Sequence, residues 1–125
     1  MIPMTLDDIA DKMTILSLKL QRADLDPKLR QLYEDRVALY AQELQSSSPE
    51  VQAIVPELAF VNSQIWDAEA MIRAGQEHKM SNREMRDRCL QVRNLNRVRA
   101  QVKNKIVAIT GEGVPDVKVN YANDD

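Results

Sequence analysis

"VNSQIWDAEAMIR", residues 61–73, decides how the rest of the chain is read. Val61, Ile65, Ala68 and Ile72 recur at spacings of four, three and four, which places them on one line of a helix. Polar residues interrupt the same stretch: Asn62, Asp67, Glu69 and Arg73, around the only tryptophan, Trp66. Reading backwards, Val51, Ile54, Val55 and Leu58 continue the apolar line. The spacing therefore predicts a helix of roughly 25 residues, or about 38 Å. A helix that long in a 125-residue chain needs a partner of similar length to cover its apolar edge.

That partner follows directly. "SNRE" at 81–84 has the form of a capping box. After it, Met85, Cys89, Val92, Leu95, Val102, Ile106 and Ile109 form a second long line that closes at Gly111. The third helix is expected to end near Gly75, leaving about six residues for the turn, so the two long helices should form an antiparallel hairpin. Two shorter helices precede them. Thr5 and Asp8 suggest a capping box for the first, whose line is Leu6, Ile9, Met13, Leu16, Leu20 and Ala23, widened by Ile15 and Leu18. Asp26 with Pro27 opens the second, lined by Leu29, Leu32, Tyr33, Val37, Tyr40, Ala41 and Leu44. Ser48 with Pro49 repeats that signal for the third helix, inside which Pro56 marks either a kink or a later start. The expected fold is all-α, an antiparallel bundle of four helices over residues 1–110. Residues 111–125 form a non-helical, flexible tail in which Val117, Val119 and Tyr121 alternate as in a strand, free or laid on a neighbouring chain.

Composition sets the class. With 44% hydrophobic and 29% charged residues, the chain reads as a soluble globular domain. No apolar run approaches the ~18 residues of a membrane span, and the first residues lack the basic and apolar regions of a secretory signal. One cysteine, Cys89, excludes an internal disulfide and fits a reducing compartment, so a cytoplasmic location is expected. Charge is segregated. Residues 1–78 carry 7 Lys/Arg and 13 Asp/Glu, whereas residues 79–105 carry 9 Lys/Arg and 2 Asp/Glu. The acidic part and the basic last helix should attract one another, within one chain or between chains.

Three stretches resemble a known family. They are "LDDIADKMTILSLKLQRAD" at 6–24, "VNSQIWDAEAMIR" at 61–73 and "NRVRAQVKNKI" at 96–106. In the first, Asp11, Lys12, Thr14, Ile15, Leu16, Lys19 and Arg22 carry the likeness. In the second it rests on Val61, Asn62, Trp66, Asp67, Glu69, Ile72 and Arg73, and in the third on Asn96, Arg99, Lys103 and Ile106. Together they resemble an uncharacterised family of small helical proteins from bacteria and their phages, sometimes encoded near or joined to glycosyltransferases. Arg97 stands where that pattern has an aspartate, which puts any acidic role there in doubt. The resemblance implies a helical fold and a set of polar positions; no activity comes with it.

The polar positions admit two readings. Asn62, Glu69 and Arg73 fall on one line of the third helix, and Asn96, Arg99 and Lys103 on one line of the fourth. Brought together in the hairpin, Asn62, Trp66, Asp67, Glu69, Asn96 and Lys103 would make a polar network that fixes register, with Glu69 pairing to Arg99. Alternatively, Lys12, Lys19, Arg22, Arg73 and Arg99 would line a cationic cleft for a small anion, a sugar phosphate or a carboxylate. The first reading is preferred, because cations on helices more often bridge to neighbouring acids than bind ligands.

Other chemistry finds less support. One histidine, His78, and one cysteine offer no metal-ligand spacing, and the paired acids of helical nucleotide pyrophosphohydrolases are missing from the long helices. Cys89 lies on an apolar line and is expected to be buried and inert. Gly111 and Gly113 follow a helix, the wrong order for a phosphate loop. "DKMTILSLKLQR" faintly echoes the first helix of all-helical chorismate mutases, although helix number and arginine spacing do not match. Arg83, Arg86, Arg93, Arg97 and Lys105 could contact nucleic-acid phosphates, against a pI of 5.5 and no interleaved aromatics. The sequence thus favours a non-catalytic assembly or adaptor module, without cofactor or metal. It is expected to self-associate, as a dimer, and to bind a protein partner away from membranes; anion or nucleic-acid binding is the alternative.

Overall fold

The computed structural model describes residues 4–77 and 79–111. Four α-helices account for almost all of them: α1 (Leu6–Arg22), α2 (Pro27–Gln45), α3 (Pro49–Glu77) and α4 (Asn82–Thr110). Among the described residues there is no strand, and no helix is long and apolar enough to cross a membrane. His78 and the proposed tail beyond Gly111, with its strand-like alternation at Val117, Val119 and Tyr121, lie outside the described residues.

Local chemistry sets most helix ends. The Asp26 carboxylate accepts from the Leu29 N–H at 2.9 Å, and Pro27 occupies the first turn. The Ser48 hydroxyl accepts from Val51 N–H at 3.3 Å, and that of Ser81 from Glu84 N–H at 3.1 Å. Gly111 closes α4 in the left-handed conformation, its N–H bonded to Val107 O at 2.8 Å. Thr5 departs from expectation. Its hydroxyl donates to the Asp8 carboxylate at 3.2 Å and caps no backbone N–H. Pro56 lies inside α3 without ending it. α3 also runs past Gly75 to Glu77, and the Gly75 carbonyl accepts the Met80 N–H at 2.7 Å.

α3 and α4 form the long hairpin, as the spacing predicts, and α1 lies along its groove, touching both. α2 packs chiefly on α1, meets α3 lightly and does not touch α4. The core is accordingly a three-helix seam with α2 on its flank. Ile9 and Ala10 of α1, Leu44 of α2, Val51, Ile54, Leu58, Val61 and Ile65 of α3, and Val102 and Ile106 of α4 form one buried cluster. Leu58 and Ile106 are fully enclosed, each worth about 2 kcal/mol in apolar burial.

The fourth apolar line needs correction. Val102 and Ile106 are buried as expected, yet Val107 replaces Ile109, which is exposed, and Cys89 is exposed rather than buried. Cys89 and Val107 stand eighteen residues, or about five turns, apart and so share a line of α4. That line is buried beside the start of α1 and exposed toward the hairpin turn.

Candidate functional site: a polar cluster keyed on Asp11

The three stretches singled out in the sequence meet at one place. Asp11, in the middle of α1, is buried to 4% exposure. Arg99 of α4 grips it with both arms: Nε donates to Oδ1 at 2.9 Å and Nη2 to Oδ2 at 2.5 Å. Asn62 of α3, also buried, donates its amide to Asp11 Oδ1 at 3.1 Å and to Thr14 Oγ1 at 2.8 Å. The Thr14 hydroxyl donates in turn to the Asp11 carbonyl at 2.9 Å. Asn96, a turn before Arg99, accepts from Nη1 at 3.3 Å and donates to the Val92 carbonyl at 3.0 Å. One carboxylate thereby joins three helices, and two-pronged guanidinium binding fixes its orientation.

A second contact lies one turn toward the α1 N-terminus. Lys103 Nζ donates to Asp8 Oδ1 at 3.0 Å and stands 3.9 Å from Asp7 Oδ2. Asp7 Oδ1 is buried without a hydrogen-bond partner. Burial alone would push the Asp11 carboxyl up. The Arg99 guanidinium, helped by the Asn62 amide and the Lys103 ammonium, outweighs this and holds it below the usual carboxylate value.

The remaining candidates fall elsewhere. Arg22 pairs with Asp67 at 2.8 Å at the far end of α1, with both side chains substantially exposed. Lys19 sits over the Tyr33 ring of α2, 5.6 Å from its centre. Lys12, Glu69 and Arg73 are exposed, and Trp66 is half-buried. The expected Glu69–Arg99 pair is thus replaced by Asp11–Arg99, because α1, not α3, presents the acid to α4. Nor do the five proposed anion-binding cations converge. Arg99 is held at Asp11 and Arg22 acts eleven residues further along α1, about 16 Å away.

Sequence reasoning missed two links to α4: Asp7 and Asp8 facing Lys103, and Glu57 of α3 bonded to Lys105 at 2.8 Å. No periodic signal marked the key position: Asp11 and Thr14 lie on the side of α1 opposite the Leu6, Ile9, Met13, Leu16 and Leu20 line, and they are buried because α3 and α4 pack there. Among the described residues no three His, Cys, Asp or Glu side chains gather as around a metal ion. No protein family, curated protein or solved structure matches the chain.

Proposed function

We propose that this protein is a non-catalytic helical assembly module: a small bundle that self-associates and serves as an adaptor for a protein partner. The observation that carries this reading is the internal neutralisation of the polar cluster. Asp11 is consumed by Arg99 and Asn62, and Arg22 by Asp67. A network that satisfies its own charges fixes helix alignment and keeps Arg99 and Arg22 engaged rather than open to an incoming anion. The test is the mass in solution, measured by light scattering across micromolar concentrations. The reading expects about twice the 14.3 kDa of one chain; a monomer at every concentration would contradict it. In parallel, phosphate, citrate and a sugar phosphate are expected to leave Tm where chloride of equal ionic strength leaves it. A saturable rise that vanishes in Arg99→Ala would favour the anion-binding alternative.

One observation favours a second reading. Arg86, Arg93 and Arg97 are exposed and share one edge of α4, with Arg83 close by. Such an edge could lie along nucleic-acid phosphates. Mobility of a labelled oligonucleotide that shifts with protein, and less so as salt rises, would support this; no shift at low salt would remove it.

A further inference from the structure

The α3–α4 hairpin has two faces, and α1 takes only one. Asn62 marks the α1 side of α3, and Arg99 and Lys103 mark it on α4. Phe60 precedes Asn62 by two residues, a turn of about 200°, and so points away from α1. The Glu57–Lys105 ion pair bridges the helices on that outer face. It also sets their pairing, so that Gln64 stands level with Val98 and Met71 level with Gln91. Phe60 and Met71 of α3, and Leu90, Val98 and Ile109 of α4, are exposed along this face. On α4 an open depression of about 390 Å³ is lined by Asp87, Leu90, Gln91, Asn94, Leu95 and Val98. Five large apolar side chains in one strip mark a contact surface rather than scattered exposure.

We propose that a second copy of this chain covers the outer face, hairpin against hairpin, with the two-fold axis parallel to the helices. This rests on the assembly reading above and names its surface. Charge selects both the occupant and the axis. α3 carries five acids against one base, and α4 eight bases against two acids; with Glu57 and Asp67 of α3 and Arg99, Lys103 and Lys105 of α4 engaged within the chain, α3 keeps a net charge of −2 and α4 of +3. An axis along the helices lays each acidic α3 over the partner's basic α4, antiparallel. An axis across them would set α3 on α3 and α4 on α4, like charge on like. The paired arrangement is a four-helix bundle that places Gln64 opposite Val98 of the second copy and brings both Phe60 rings near the centre. The size also suits. Two 29-residue helices side by side present a face about 43 Å by about 19 Å, roughly 800 Å², which is one side of a standard stable interface.

Two measurements on the full chain test this. Phe60→Glu combined with Val98→Glu changes only exposed positions, and far-UV circular dichroism checks that the helices persist. The wild type is expected to be dimeric and the variant to weaken dimerisation at least a hundredfold. In a Cys89→Ser background, chains carrying Gln64→Cys are then mixed with chains carrying Val98→Cys and oxidised. A disulfide between the two kinds of chain is expected, in excess of either self-linked product. A dimer that the glutamates leave intact overturns the surface while self-association stands. Preferred 64–64 linkage overturns the axis. A wild type that never dimerises overturns both this proposal and the assembly reading.

Discussion

Around Asn62 and Arg99 the hairpin of α3 and α4 is packed against α1 and holds Leu58, Val61, Ile65, Val102 and Ile106 inside. Toward its turn, between Glu69 and Arg93, Gly75 is the one buried residue among those described. The two halves are built from the same two helices with the same periodic spacing; what differs is the third helix. Two helices in contact bury a single narrow seam, and a real interior begins where a third closes the groove. The same contrast governs charge. Asp11–Arg99 operates where α1 is enclosed, whereas Arg22–Asp67 operates at its exposed end.

That contrast can be broken most sharply at the ion pairs. Arg99→Ala leaves the buried Asp11 carboxylate without its guanidinium and is expected to cost about 3 kcal/mol, measured by urea unfolding. Arg22→Ala, at the exposed pair, is expected to cost under ~0.5 kcal/mol. Equal losses would erase the distinction. A comparable split is expected in the apolar residues. Leu58→Ala should cost about 3 kcal/mol through its cavity, and Leu90→Ala no more than about 0.5 kcal/mol in the monomer.

Acid sharpens the comparison from another side. Because the folded state holds the Asp11 carboxyl below its unfolded value, its contribution is complete above the unfolded value near ~4. It is lost as pH falls through the folded value. Urea midpoints of the wild type should therefore drop below about pH 4, and Asp11→Asn, less stable at neutral pH, should show a shallower drop. The turn offers a change of the opposite sign. Lys79 holds the left-handed conformation, φ 57°, so Lys79→Gly should raise stability by up to about 1 kcal/mol. A loss would mean that the turn is held by the Lys79 side chain rather than by its backbone.

Why some of this was legible and some not follows from what periodicity encodes. The caps at Asp26, Ser48 and Ser81 and the stop at Gly111 are local, and each acts where its residues indicate. The long hairpin was legible because two lines of similar length flank a short turn. Periodicity says which edge of a helix is covered, but not by what. The polar line of α3 was matched to α4 because those helices adjoin in sequence, whereas its buried member, Asn62, answers to α1. Cys89 looked internal for the same reason. Its line is covered over part of α4 only, and the extent of that cover depends on the length and tilt of α1.

The claim that Asp11 keys α1 to the hairpin is tested most directly by a double-mutant cycle. Asp11→Leu, Arg99→Met and the combined variant are to be unfolded in urea at pH 7. The account predicts that each single change destabilises by about 3 kcal/mol, since it strands a buried charge or donor, and that the combined variant is no worse than either. Losses that add to within ~0.5 kcal/mol would contradict it, because the two residues would then act independently.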